Sequence, residues 1–247
     1  MNDEWRGFII YPSSFIIPEK LMPVPGWPDW LSHAWYRVNH AVQMVGMTLS
    51  FSFRHEGMGN VPPTGPVLLL ANHQSYLDPS IVGVAAGRDI HYLARKTLFK
   101  NRLLALYIRS MNGVPVDHTG VAKEGLKAVI DLLQAGQAVV VFPEGERTHT
   151  GEMQPLKPGI HLVLKKAPAP VVPIGIAGAY QAFPRTRKLP LPSPLFWPAT
   201  GGAVAAAVGK ALDPDWLLKL PREDFLQTLL VAMQTVQRRA ERIKRKP

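Results

Sequence analysis

The sequence predicts an α/β fold: a mostly parallel central sheet flanked by helices. Three observations carry this. All-apolar runs at residues 67–71, 138–142 and 171–176 are bounded by turn residues, as strands buried on both faces require. Segments of helical period lie between them, as at residues 123–134, where Leu126, Val129, Ile130 and Leu133 share one face. Strands alternating with helices in this way build parallel sheets through crossover connections. With 247 residues, 47% of them hydrophobic and 19% charged, the chain can bury one sizeable core with an appendage.

Taken in order, residues 1–30 form a proline-rich arm carrying Trp5, Phe8, Tyr11, Phe15, Trp27 and Trp30. Two readings stand for it: an arm packed over the core, or one that sets Trp and Tyr at a lipid interface. Residues 31–48 have helical period, with Leu31, Ala34, Trp35, Val38, Val42, Val45 and Leu49 on one stripe. A core helix explains the stripe. The apolar second half, with Met44, Gly46 and Met47, points further, to an amphipathic membrane-associating helix lying in a bilayer surface. Leu49, Phe51 and Phe53 then alternate with Ser50, Ser52 and Arg54 at strand period. Residues 57–66 are a turn-rich connector to the strand at 67–71.

Asp78 before Pro79 reads as a helix N-cap, and Gly87 stops that helix. A strand at 90–94, a helix at 98–108 and a short strand or loop at 113–117 follow. After the helix at 123–134, stopped by Gly136, come a strand at 138–142, a helix at 159–166, a strand at 171–176 and a last strand at 203–208. A closing amphipathic helix spans 225–243, and its end carries Arg238, Arg239, Arg242, Lys244, Arg245 and Lys246. That charge suits a solvated helix end or a contact with an anionic surface. The division expected is an arm and membrane-associating helix over residues 1–50 and an α/β domain over 51–247.

The net charge of +10 calls for an anionic partner: nucleic acid, a membrane surface or a phosphorylated substrate. With no cysteine, disulfides, thiolate zinc sites and a cysteine nucleophile are excluded. Residues 1–6 carry both charge signs, so no signal peptide is expected. The charge-free stretch of residues 38–53 is shorter than the ~20 apolar residues a spanning helix needs. Residues 189–209 are interrupted by Pro190, Pro192, Pro194 and Pro198, so no transmembrane helix is expected there either.

Each strand end delivers polar groups to what can be a single cleft: His73 and Asp78, then Lys96, then Asp117 and His118, then Glu144, Gly145, Arg147 and Thr148. A loop histidine beside a helix cap accounts for the first pair taken alone; the three later segments favour chemistry. An imidazole with a carboxylate in reach takes a proton from a hydroxyl, and the carboxylate fixes its tautomer. An arginine in a Gly-containing loop suits phosphate through its planar fork. Together they describe activation of a hydroxyl on a phosphorylated molecule. No Walker or dinucleotide phosphate loop and no Gly-x-Ser-x-Gly elbow is present, against nucleotide chemistry and a serine hydrolase.

The segment Asn72-His73-Gln74-Ser75-Tyr76-Leu77-Asp78 resembles the His-x4-Asp signature of the glycerolipid acyltransferases, the 1-acyl-glycerol-3-phosphate acyltransferase family. Phe142-Pro143-Glu144-Gly145-Glu146-Arg147-Thr148 resembles that family's second strong motif, usually Phe-Pro-Glu-Gly-Thr-Arg-Ser. Lys157-Pro158-Gly159 matches a Lys-x-Gly that commonly follows, and Val172-Pro173-Ile174 is similar to the fourth block. The resemblance covers roughly residues 52–208. It departs in the second block, where Gly113 leads to Asp117-His118 and histidine replaces the usual arginine.

The resemblance implies that His73 is the general base and Asp78 its orienting partner. The acceptor alkoxide then attacks the thioester of acyl-CoA or acyl-carrier-protein with no covalent acyl-enzyme. It also implies that Arg147, with Glu144 and Gly145, holds the acceptor phosphate, with Asn72 and Thr148 in the same substrate site. Lys96 reads as a second phosphate contact or a surface lysine, and backbone N–H groups of the His73 turn as the oxyanion donors. No metal and no cofactor besides the acyl donor is expected. The implied partners are a lysophospholipid and a membrane surface with anionic lipid; no nucleic-acid motif supports the remaining class. The address implied is peripheral or monotopic, on the cytoplasmic face of the membrane. The acceptor expected is 1-acylglycerol-3-phosphate; glycerol-3-phosphate, another lysophospholipid or a lyso-aminolipid is the alternative, and a non-catalytic membrane-binding protein a further one.

Overall fold

Leu68, Leu69 and Leu70 have no exposed surface, because the strand that carries them lies in the middle of a sheet covered on both faces. The computed structural model describes residues 27–116 and 122–246. The arm up to residue 26, together with Asp117 and His118, lies outside them.

The sheet has seven strands in the order β1 (Arg54–Glu56), β7 (Ala205–Val208), β6 (Val171–Ala177), β2 (Val67–Ala71), β5 (Ala138–Val141), β3 (His91–Arg95) and β4 (Gly113–Val116). Strands β2 to β6 are mutually parallel, β7 is antiparallel to β6, and β1 is parallel to β7. Alternation decides which layer each side chain joins. Val67, Leu69 and Ala71 pack with Ile81, Val82 and Ala85 of α2 (Asp78–Ala86). Leu68 and Leu70 face the opposite layer. That layer holds α4 (Ala122–Gln134), α5 (Gly159–Lys166) and α8 (Arg222–Ile243), with Leu132, Leu164 and Phe225 at its centre. Helix α8 lies so close over β6 that a side chain at Gly175 would strike the backbone of Val236 and Gln237.

The topology places a crevice. From β2 the chain crosses to β3 on one side, and from the adjacent β5 it crosses back over β2 to β6. Connections leaving two neighbouring parallel strands in opposite directions open a cleft at their carboxyl ends.

Several elements differ from the sequence reading. Helix α1 (Asp29–Phe51) runs on through Leu49 and Phe51, so the expected strand there is helix, and β1 starts only at Arg54. The reason is the spacing of Met44, Met47 and Phe51, which pack on the core from one helical face. Ser52, with φ of 47°, ends the helix. The stripe ascribed to a core helix does not face the core: Val38, Val42 and Val45 are each more than half exposed, whereas Tyr36 and Met47 are buried. The helix expected at 98–108 divides into a 3-10 turn (Lys96–Lys100) and α3 (Arg102–Ser110), because Asn101 caps α3 by accepting the Leu104 N–H at 3.1 Å. A four-residue helix α6 (Ala179–Ala182) follows β6, and a short helix α7 (Pro214–Leu218) starts at the Asp213 cap. No helix among the described residues is long and apolar enough to cross a membrane.

Candidate active site

Strands β2 and β5 pair in register from Val67 with Ala138 to Leu70 with Val141, so the segments that follow them leave the sheet side by side. After β2 the chain passes through Asn72. Its amide accepts the Ile176 N–H at 2.7 Å and donates to the Ile176 carbonyl at 3.0 Å. Asn72 is buried, and its side chain ties the turn to β6 rather than meeting a ligand. This corrects its expected place in the substrate site: both ends of the amide are already used by backbone.

His73 follows, with its ring stacked on Phe142, centroids 4.1 Å apart. Its Nδ1 stands 2.8 Å from Oδ2 of Asp78. The same oxygen accepts the backbone N–H groups of Gln74 at 2.5 Å and Ser75 at 2.7 Å. Asp78 therefore points back into the turn and makes no capping bond to its own helix, which corrects the N-cap reading. The geometry of the turn, more than the helix start, is what this carboxylate serves. Its side chain is fully buried. Burial pushes the Asp78 carboxyl up, opposed by the hydrogen bonds from His73, Ser75 and Gln74. Because Asp78 occupies Nδ1, the Nε2 of His73 is the nitrogen left for an acceptor hydroxyl.

After β5 comes the second motif. Glu144 is buried, and each of its oxygens takes one backbone donor, the His73 N–H at 2.7 Å and the Gln154 N–H at 2.7 Å. Burial pushes its carboxyl up to about 7 against those two hydrogen bonds. Thr148 is also buried: its N–H donates to the His73 carbonyl at 2.9 Å, and its hydroxyl accepts from Thr150 and Gly151. Glu144 and Thr148 thus clamp the His73 turn from the neighbouring strand. Their expected role as ligand contacts gives way to this one, since their polar atoms are committed to backbone.

Arg147 lies over the Tyr76 ring, its guanidinium carbon 3.5 Å from the centroid. One of its terminal nitrogens, Nη1, is buried without a hydrogen-bond partner. An unmet guanidinium donor beside a catalytic-type histidine is a place for an anion. Gly145 has φ of 80°, and Lys157 Nζ stands 2.5 Å from where a Cβ would be, so only glycine fits there. Lys96 begins the 3-10 turn after β3, exposed and two strands from β2, about 10 Å across the same edge.

The structure therefore brings His73, Asp78, Gly145 and Arg147 together, puts Asn72, Glu144 and Thr148 behind them, and leaves Lys96 at the far side. It adds Tyr76, Phe142, Gln154 and Lys157, which no role was expected for; the Lys-x-Gly match at 157–159 was the one signal pointing at any of them. The N–H groups of His73, Gln74 and Ser75 all donate to carboxylates, so the expected oxyanion donors in this turn are already occupied. Among the described residues no group of His, Asp and Glu side chains is arranged to hold a metal.

A family model described as Acyltransferase matches residues 52–177, just over half of the chain. The 1-acyl-sn-glycerol-3-phosphate acyltransferase of Bacillus subtilis (strain 168) is 32% identical over 120 residues, 48% of this chain and 59% of that protein. The human 1-acyl-sn-glycerol-3-phosphate acyltransferase alpha is 34% identical over 130 residues, 51% of this chain and 46% of that protein. The chain thus spans about half the length of the curated relatives it matches. The crystal structure of the 1-acyl-sn-glycerophosphate acyltransferase PlsC from Thermotoga maritima superposes with a TM-score of 0.65 at 24% identity. It covers 87% of this chain and 78% of its own, and establishes the shared fold. The matched span begins at the residue that ends α1 and closes at the last residue of β6, taking in both clamped motifs: the chain belongs to the acyltransferase family.

Proposed function

We propose that this chain transfers a fatty acyl group from an acyl thioester, acyl-CoA or acyl-carrier-protein, to the hydroxyl of a lysophospholipid, 1-acyl-sn-glycerol-3-phosphate, giving phosphatidic acid. The observation that carries this reading is the Nδ1 of His73 at 2.8 Å from buried Asp78, beside a motif whose Arg147 keeps an unmet guanidinium donor. The names of the relatives support the same acceptor.

In this reaction the acceptor phosphate lies against Arg147, whose fork suits two phosphate oxygens. That contact sets the acceptor hydroxyl at His73 Nε2. The imidazole takes the hydroxyl proton as oxygen attacks the thioester carbonyl, and Asp78 steadies the imidazolium. The tetrahedral intermediate collapses with loss of the thiolate, which takes the proton back from His73. Phe142 backs the ring, and Glu144 and Thr148 hold the turn still. This is catalysis by positioning, which requires the rigid support these buried bonds supply.

The protein works in this reading from a membrane surface rich in anionic lipid, with residues 1–50 as the attachment segment and 51–247 as the catalytic domain. Supporting it, Trp30, Val38, Val42 and Val45 stand exposed along α1, an apolar face that a bilayer surface would cover. Both donors are made in the cytoplasm, which sets the face.

The test is purified protein with labelled acyl-CoA or acyl-carrier-protein and a panel of acceptors: 1-acylglycerol-3-phosphate, glycerol-3-phosphate, other lysophospholipids and a lyso-aminolipid. The expected product is phosphatidic acid, identified by mass. Faster turnover of another acceptor would reassign the substrate, and no transfer to any of them would remove the enzymatic reading.

A further inference from the structure

Between β6 and β7 the chain makes a long proline-rich excursion whose tip holds Phe196 and Trp197, 84% and 70% exposed. Two aromatic side chains held in water are unfavourable by a few kcal/mol relative to an apolar medium. The backbone that presents them is firmly held. Arg245, beyond the end of α8, donates through Nη1 to the carbonyls of Pro194 at 3.0 Å and Leu195 at 2.9 Å, and through Nη2 to the carbonyl of Trp197 at 2.6 Å. Its Nη1 also donates to the hydroxyl of buried Ser52 at 2.9 Å, and that hydroxyl donates to the Ser193 carbonyl at 2.7 Å.

The loop is joined to the attachment helix as well. The N–H groups of Ser193 and Leu195 donate to the carbonyls of Ser50 and Leu49 in the last turn of α1. The apolar stripe of α1, ending at exposed Leu49, is therefore continuous with the Phe196–Trp197 tip. Strand directions fix where this tip lies. Strand β7 is antiparallel to β6 with Ala205 opposite Ala177, and Arg54 at the start of β1 is level with Ala205. The loop, the end of α1 and the start of β1 thus sit at the sheet edge that also carries His73, about 14 Å away across three strands.

Charge selects the partner. Arg242, Lys244 and Lys246 end α8 beside the clamp, and the excursion itself carries exposed Arg187 and Lys188. A second copy of this chain would bring another +10 to the same face, whereas anionic lipid is attracted to it.

We propose that residues 193–197, pinned by Arg245, form a second membrane-inserting element that holds the His73 edge of the sheet against an anionic bilayer. This rests on the membrane-surface reading of α1 but on different residues. Phe196 and Trp197 enter the interface, and the basic end of α8 lies over the headgroups. Arg245 acts as a positioning residue, since its planar fork gathers three carbonyls that a lysine could not bind together.

The experiment measures partition of the full chain onto vesicles of phosphatidylcholine with phosphatidylglycerol, without acyl donor, so that it reads membrane binding and not turnover. The Phe196→Ser/Trp197→Ser variant, with unchanged circular dichroism, should bind about tenfold more weakly or worse. Val42→Ser/Val45→Ser on α1 serves as the parallel arm. Loss in the first variant supports the loop. Wild-type partition of the first variant with loss in the second overturns the loop and leaves the α1 reading standing. No loss in either, or no partition of the parent chain, overturns both. Arg245→Lys keeps the charge and loses the fork; it should bind more weakly than the parent, and parental binding would overturn the clamp. Sedimentation velocity without lipid completes the set: a dimer abolished by Phe196→Ser/Trp197→Ser, with vesicle binding intact, would assign the tip to a second copy instead.

Discussion

Arg147 rests on the ring of Tyr76, 3.5 Å from its centroid, although the two are brought in by different strands. Tyr76 sits between His73 and Asp78 in the turn after β2, so the stack ties the anion-binding arginine to the catalytic turn. A ring under a half-exposed guanidinium contributes about 1–2 kcal/mol. Tyr76→Ala should therefore raise the acceptor KM roughly 5- to 30-fold with little change in kcat, and Tyr76→Phe, which keeps the ring, should restore it. Steady-state kinetics with varied acceptor checks this; an unchanged KM in Tyr76→Ala would make the stack incidental.

Arg147→Lys keeps the charge and gives up the bidentate fork. The acceptor KM should rise more than the donor KM. Kinetics with each substrate varied in turn decides the matter, and equal effects on both would take Arg147 out of the phosphate site.

Asn72→Ala removes two hydrogen bonds to Ile176 and leaves a buried N–H and C=O unmet. The loss should be about 2–4 kcal/mol of unfolding free energy, read by urea denaturation at fixed m-value. A variant as stable as the parent would mean that the end of β2 is held by other contacts.

Glu144 ties stability to pH. Its carboxyl rises from 4.5 to about 7 on folding because it is buried. The folded state therefore binds the proton more tightly than the unfolded chain, and this group's contribution falls as pH rises from 4.5 through about 7. The full swing is about 3 kcal/mol. His91, buried and pushed down to about 4, acts in the opposite sense, its contribution falling as pH drops from 6.5 towards 4. The difference between parent and Glu144→Gln isolates the carboxyl. That difference in unfolding free energy should move in favour of the variant as pH goes from 5 to 8. A pH-independent difference would show that Glu144 is already ionised at pH 5 in the folded protein.

Much of this arrangement was legible in the chain. Strands β2, β5 and β6 are covered on both faces, so their all-apolar runs at residues 67–71, 138–141 and 171–177 announce them. The stripe on α1 was legible as a stripe, but periodicity reports that a face exists and not what covers it. Tyr36 and Met47 face the core while Val38, Val42 and Val45 do not. The identities of Glu144 and Thr148 were legible, but their use was not, because their partners are backbone groups of His73, Gln154 and Gly151, which only the pairing of β2 with β5 brings within reach. The Asp-Pro signature reads alike whether Asp78 caps its helix or turns back to Gln74 and Ser75; the second holds. The stack of Tyr76 with Arg147 joins residues 71 apart in the chain, and no local pattern encodes it.

The most direct measurement is acyl transfer by purified parent and His73→Ala proteins, with labelled acyl-CoA or acyl-carrier-protein and 1-acylglycerol-3-phosphate, the product identified by mass and the fold of both checked by circular dichroism. With His73 as the base held by Asp78, the parent forms phosphatidic acid, and the folded variant is slower by about 10²–10⁴. A folded His73→Ala protein that turns over near the parental rate would contradict the account.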